Sequence, residues 1–448
     1  MKDKKRFLIL LVISGIFFFG LLAIFGVQIN NDSEQYITMH IHRDPGYCFF
    51  LWIFQSISSE YGLLLAVIVQ SVLSMWCTAD FVNYIADCFK LKVFSVIVVL
   101  GAALMPHIIT PLFSASHLVI SVGILSEAIC LPLFLLFVKE LHKACMTGEK
   151  RAVYGSLIIS LILSLIRAQV TAAVLIWLFV LVLRSIIRKQ YKKIVVLLLA
   201  VCLCFGARAV ITKTYHYAFH GYFMNTTYGP VNILTNVLYS ADREQGESIE
   251  DDEIRELFYM HYDAMDEREY NYKYAGEGLV DRASYLESVH DGLKFEVCEA
   301  GFKEYLLQQG VDDYTLQNLA ADEYASKMIS EIFGGCFARW FPTYLVLGIR
   351  GAIRNVAIVH PVLSIYALLM GMVATGMCVS FIQGDKNSKE AWLMLIALLT
   401  IAGISFSTAL TIMCLSRYMV YGFAGFYTAA YLMLIASIKK NKKNVKEA

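Results

Sequence analysis

Stretches of about twenty apolar residues recur along this chain, and a helix needs roughly that many, at 1.5 Å rise per residue, to cross about 30 Å of hydrocarbon. The first runs from Phe7 to Val27. Others cover about Tyr61 to Ala86, Val93 to Phe113, Leu118 to Val138, Ala152 to Arg167, Thr171 to Leu183, Ile194 to Ile211, Ala357 to Ile382, Ala391 to Ile412 and Tyr418 to Ile438. The pattern predicts an all-α polytopic membrane protein with about ten transmembrane helices. With 58% hydrophobic and 17% charged residues over 448 positions, a string of soluble domains is excluded.

The connections carry a second signal. Lys90 and Lys92, Lys139 to Arg151, Arg184 to Lys193, Lys386 and Lys389, and Lys439 to Lys446 lie at every second connection. Because short cytoplasmic loops are enriched in Lys and Arg, this alternation predicts that both termini are cytoplasmic. Lys2, Lys4, Lys5 and Arg6 precede the first run, which reads as a retained signal anchor of a cell-membrane protein. Basic clusters at both ends of Ala152 to Leu183 require an even number of crossings there, hence a short helical hairpin turning near Arg167 on the outer side.

Three regions follow from this count. Residues 1–211 form an N-terminal transmembrane module of about seven helices, with an outer loop at 28–59; residues 212–356 form an extracytoplasmic domain; residues 357–448 form a C-terminal module of about three helices. The middle region holds 24 of the 37 acids. Tyr, Phe and Leu recur through it at helical spacing, as in Asp251 to Asp266 and Asp291 to Gln309, so it reads as helical rather than disordered. The eleven cysteines show no paired spacing, and neither a disulfide framework nor a zinc site is expected.

The first outer loop is the densest in chemistry-bearing residues: Asn30-Asn31-Asp32-Ser33-Glu34-Gln35-Tyr36, then His40-Ile41-His42-Arg43-Asp44-Pro45-Gly46-Tyr47. The Phe49-Phe50-Leu51-Trp52-Ile53-Phe54 run that follows has the character of an interfacial helix. Two histidines two residues apart, with no further ligand at fixed spacing, make a weak metal signal. Glu127 and Arg167 lie in or near apolar helices, where an ionisable side chain is usually paired or functional.

The Asp32-x-x-x-Tyr36 pattern after the first helix, followed by Arg43-x-Pro45-Gly46-Tyr47, resembles the first outer loop of the GT-C superfamily of polyprenyl-phosphate-sugar-dependent glycosyltransferases, of the glycosyltransferase family 39 type. Leu125-Ser126-Glu127-Ala128 is similar to the Ser-Glu pair of those enzymes, Leu165-Ile166-Arg167-Ala168-Gln169 to their Arg-x-Gln hairpin, and Ser416-Arg417-Tyr418 to their final Arg-Tyr. The resemblance implies that Asp32 is the catalytic carboxylate. It also implies that Tyr36, Arg43, Asp44, Glu127, Arg167 and Arg417 contact substrate, with the arginines as the natural ligands of a departing phosphate.

A sugar esterified to a lipid phosphate already carries a good leaving group, so a base for the acceptor hydroxyl and cations for the phosphate suffice. The expected reaction is inverting transfer from a polyprenyl-phosphate donor to a cell-envelope glycan, lipid or protein. No organic cofactor and no nucleic-acid partner are expected, and a divalent cation is left open. The alternative is a transporter or flippase of a lipid-linked or polar substrate, which would place ionisable or broken-helix features near the bilayer midplane and relate two halves of the chain. No internal repeat is visible. A third reading is a noncatalytic scaffold that binds a partner through its acidic region.

Overall fold

The computed structural model describes residues 2–113, 117–357 and 361–447. Among them the regular secondary structure is all helical, with no strand and one isolated β-bridge between Gln28 and Gly123. In order the helices are α1 (Lys2–Phe25), α2 (Ser33–Ile37), α3 (Pro45–Ile57), α4 (Gly62–Cys88), α5 (Val93–Leu104), α6 (Pro106–Phe113), α7 (Glu127–Thr147), α8 (Lys150–Ile166), α9 (Ala172–Ile187) and α10 (Lys192–His220). There follow α11 (Gly229–Tyr239), α12 (Asp252–Glu267), α13 (Leu279–Gly292), α14 (Ala300–Gln308), α15 (Tyr314–Val356), α16 (Pro361–Gly384), α17 (Lys389–Ala409) and α18 (Phe423–Glu447).

Among the described residues, seven helical segments are long and apolar enough to cross a membrane: α1, α4, α9 with the turn before it, α10, α15, α16 and α17. The pair α5 and α6 makes an eighth if the 43° bend at Met105-Pro106 is counted within one span. Proline removes a donor and clashes with the preceding turn, which accounts for that bend. Seven to eight is fewer than the ten apolar runs. The run at 152–167 becomes α8, only 17 residues long, and the apolar part of α18 is the short stretch Phe423–Lys439. The run at 357–382 corresponds to α16, with residues 358–360 outside the described residues. Conversely, α15 was placed by its charges inside the acidic region, yet its apolar window qualifies.

The run at 118–138 changes character most. Helix α7 begins only at Glu127; before it, Leu118 to Ser126 is a buried, non-helical peptide with a single 3₁₀ turn. Unpaired backbone inside an apolar bundle is costly, and two glutamines that carry no sequence signal supply the partners. The Gln28 backbone exchanges bonds with Val122 O (3.0 Å) and Ile124 N (2.9 Å), and its side chain accepts from Val119 N at 2.8 Å. From α4, Gln70 Nε2 donates to the carbonyls of Ser121 (3.2 Å) and Gly123 (3.1 Å), while its Oε1 accepts from Tyr47 OH at 3.2 Å. Gln70→Leu should therefore destabilise the protein by about 2 kcal/mol or more, because buried carbonyls lose their donor; a thermal midpoint equal to wild type in the same detergent would contradict this.

The helices sort into two compact units. One comprises Met1–Phe223, Ala352–Ile404 and Leu415–Ala448, so the N- and C-terminal apolar modules form a single body. Within it α4 packs on α1 and α7, α7 on α8, α8 on α9, and α18 on α5. Polar contacts tie one end of this bundle together: Arg6 with Asp87, Lys139 Nζ with Asp80 (2.5 Å), His142 with Tyr84 OH (2.8 Å) and with the Lys389 carbonyl (3.0 Å). The basic connections meet there. The opposite end gathers the loop after α1, the start of α7, the α8–α9 turn and the α17–α18 connection. Asn355, fully buried, closes that end by accepting from Gly422 N at 3.2 Å.

The second unit comprises Met224–Gly351 and Ser405–Cys414. Gly221, at φ +82°, ends α10 in the left-handed conformation just before it. Asp251 caps α12 by accepting from Glu253 N at 2.9 Å and Ile254 N at 3.3 Å, and the apolar face of that helix (Ile254, Leu257, Phe258, Met265) is buried. Between α13 and α14 lies a π-helical stretch, Leu293–Glu299. The buried His261 bridges two carbonyls, Leu257 O at 2.7 Å and Cys298 O at 3.2 Å, joining α12 to that stretch. The acidic region is thus an ordered helical body with its own core. Within it Arg350 pairs with Glu287 at 2.9 Å.

Candidate functional site

The charged end of the first unit is assembled from four separate parts of the chain. Asp32 precedes the short helix α2, which buries Tyr36. Pro45 then starts α3, since its fixed φ suits the first helical turn. Gly46 is required by contact: a Cβ there would lie 2.8 Å from Ile166 Cγ1 and 2.9 Å from the Leu165 carbonyl. The loop and the α8–α9 turn therefore touch backbone to side chain, which brings Arg43 and Arg167 to the same end.

Asp32 sits between two guanidiniums. Its Oδ1 accepts from Arg43 Nη2 at 2.8 Å and its Oδ2 from Arg417 Nη2 at 2.6 Å, across 385 residues of sequence. Arg43 also donates from Nε to Gln35 Oε1 (2.9 Å) and from Nη1 to Tyr36 OH (3.3 Å), while Arg417 Nη2 donates to Tyr418 OH at 2.7 Å. Two cations on one anion leave an excess positive charge at this point. Burial pushes the Asp32 carboxyl up, but Arg43 and Arg417 outweigh it and hold the group below the ordinary carboxylate range.

A native value below the unfolded one has a definite sign. The ionised clamp contributes stability that is fully present above about pH 4 and is lost as the pH falls through the lowered native value. The thermal midpoint of wild type should exceed that of Asp32→Asn at pH 7, and the gap should narrow below about pH 4. A gap unchanged down to pH 3 would count against the clamp.

Behind this clamp lies a second, deeper pair. Glu127 is 1% exposed, and its Oε2 accepts from Arg167 Nη1 at 2.8 Å and from Ser126 Oγ at 3.2 Å. Arg167 Nη1 also reaches Ser126 Oγ at 3.0 Å, its Nε and Nη2 donate to the Gln169 amide oxygen at 2.5 and 2.9 Å, and its guanidinium lies 4.3 Å from the Tyr418 ring centroid. The fork of Arg167 is thus fully engaged. Ser126 Oγ and Tyr36 OH, 3.0 Å apart, connect the two pairs, so Arg417, Asp32, Arg43, Tyr36, Ser126, Glu127 and Arg167 form one continuous chain of polar contacts.

Six of the seven residues singled out by sequence (Asp32, Tyr36, Arg43, Glu127, Arg167, Arg417) are members of this chain. Asp44 is 8% exposed and accepts from Arg208 Nη2 at 3.1 Å, with Arg208 Nε bound to the Ser164 carbonyl at 3.1 Å. Arg208 was missed, being one cation at the centre of α10 with no motif around it; a lone Arg deep in an apolar helix was the available signal. Among the described residues no group of three or more His, Cys, Asp or Glu side chains is placed to hold a metal ion. The rings of His40 and His42 lie 4.6 Å apart beside the loop.

These features define the class: a helical, multi-pass membrane protein with a carboxylate–arginine clamp at one end of its bundle, closed by its longest-range polar contact, Arg417 to Asp32. Comparison with protein-family models, with curated proteins and with solved structures gives no match.

Proposed function

We propose that the protein is an inverting glycosyltransferase that moves a sugar from a polyprenyl-phosphate donor to an acceptor hydroxyl of the cell envelope, with Asp32 as the general base. The observation that carries this reading is the clamp itself: a carboxylate from the first loop held between Arg43 and Arg417, with one net positive charge beside it. A base and an anion-binding pair side by side is what the reaction needs. The acceptor oxygen attacks the anomeric carbon, its proton passes to Asp32, and the bond from that carbon to the phosphate oxygen breaks with inversion. Arg43 and Arg417 take up the charge of the released polyprenyl phosphate.

The clamp also bears on reactivity. With the donor phosphate bound, the two guanidiniums divide their charge between two anions, and Asp32 becomes a stronger base than in the empty site. Arg167 serves in this reading by holding Glu127, its own donors being engaged.

Orientation belongs to the proposal as well. Ten crossings, both termini in the cytoplasm of a cell-membrane protein, and the clamp and acidic unit on the outer side are favoured by two facts. Lys139, His142 and Lys389 meet at one end of the first unit's bundle, and the end of α10 and Val356 both lie at its clamp end. In this arrangement the apolar part of α15 makes no crossing.

The test is release of polyprenyl phosphate when purified, lipid-embedded protein meets polyprenyl-phosphate sugars and envelope acceptors. Stoichiometric release with a new glycosidic bond supports the reading. Transbilayer movement of the intact donor without bond cleavage would replace it with the transporter alternative.

A further inference from the structure

Among the described residues, three buried polar atoms around the Glu127–Arg167 pair have no nitrogen or oxygen partner: Glu127 Oε1, Arg417 Nε and Tyr421 OH, the last with only the weak Cys130 thiol beside it. Glu127 and Tyr421 are 1% and 2% exposed, so bulk solvent does not satisfy them. They come from two parts of the chain, the start of α7 and the α17–α18 connection. They nevertheless share surroundings, since Glu127 and Arg167 are the charged neighbours of both Tyr421 and Arg417. Other buried side-chain atoms of the bundle, such as Ser71 Oγ and Thr212 Oγ1, also lack a partner, but these three fall together around one ion pair. Three orphans in one place need an occupant.

Their chemistry describes it. Glu127 Oε1 is an acceptor, Arg417 Nε–H a donor, and the Tyr421 hydroxyl can do either. An anion is disfavoured by the free carboxylate oxygen and a cation by the guanidiniums. A hydroxylated ring matches, because each of its hydroxyls both donates and accepts. Arg417 fixes the register: its Nη2 is bonded to Asp32 while its Nε is unspent, so one guanidinium spans the clamp and the orphan cluster.

We infer that Glu127, Tyr421 and Arg417 Nε form the subsite that reads the hydroxyl groups of the sugar being transferred. This rests on the glycosyltransferase reading, and it adds that sugar choice is made by the deep pair rather than by the acidic unit.

The experiment measures binding, not turnover, on full-length protein in nanodiscs. The probes are polyprenyl phosphate, its gluco, galacto and manno hexosides, and singly deoxygenated versions of whichever binds best. At least one hexoside should bind about tenfold tighter than bare polyprenyl phosphate, the scale of one to two net hydrogen bonds. Tyr421→Phe should remove most of that gain and leave the affinity for the bare phosphate unchanged. One deoxy donor should lose the same gain on wild type and lose nothing further on Tyr421→Phe. An equal gain in both proteins, or no gain for any hexoside, overturns the subsite and leaves water as the occupant. If Tyr421→Phe fails to fold, the deoxy series on wild type decides alone, and a flat series overturns the inference. Failure of bare polyprenyl phosphate to bind at all would instead bring down the underlying glycosyltransferase reading.

Discussion

Asp32→Asn is expected to reduce sugar transfer by about 10²–10⁴-fold, the usual contribution of a positioned general base. The substitution keeps the shape of the side chain, and an amide oxygen can still accept from one guanidinium, so Arg43 and Arg417 remain in place for the donor phosphate. The loss should therefore fall on the chemical step and not on donor affinity, which is expected to hold or to rise once the competing carboxylate is gone. Rapid-quench release of polyprenyl phosphate at saturating donor reads the first quantity, and equilibrium binding of bare polyprenyl phosphate reads the second. Wild-type turnover in a monodisperse Asp32→Asn protein would remove Asp32 as the base. A parallel loss of donor affinity and rate would recast it as a structural clamp for the two arginines.

The largest expected effect on stability comes from Arg167→Met. It leaves the Glu127 carboxylate buried without its cation, and stranding one member of a buried pair costs about 3–5 kcal/mol. Ser126 and Gln169 lose a donor at the same time, and the Tyr418 ring loses the guanidinium stacked against it. Arg167→Lys should fall between, because an ammonium keeps the charge but cannot bond Glu127, Ser126 and Gln169 in one plane. Adding Glu127→Leu to Arg167→Met should recover much of the loss, since replacing both partners by apolar groups removes the uncompensated charge. Thermal midpoints of the three variants in one detergent test this, and an Arg167→Met protein as stable as wild type would show that the pair carries little of the fold.

Most of the individual site residues were legible in the chain because chemistry of this kind is conspicuous in an apolar background. Asp32, Tyr36 and Arg43 stand in a polar loop between two hydrophobic runs, and Glu127, Arg167 and Arg417 interrupt or border apolar stretches. Their partnerships were not legible. That Arg417 joins Arg43 on Asp32, while Arg167 is spent on Glu127 and Gln169, depends on which helix ends meet. The role of Asp44 was likewise hidden: it belongs with Arg208, a residue 164 positions away.

Hydropathy alone determined that the chain is a multi-pass helical protein, because burying twenty apolar residues at a time leaves few other choices, and local amphipathic spacing determined that the acidic region is helical. Tertiary structure decided the rest. A hydropathy window at 118–138 cannot reveal that Leu118 to Ser126 is not helical, since apolar residues suit a buried peptide as well as a span; only the amides of Gln28 and Gln70 make that backbone affordable. Nor can it divide cations into those with spare charge and those already neutralised. That division depends on distances between residues hundreds of positions apart, and the pairing energy of charges is set by those distances and by burial rather than by order along the chain.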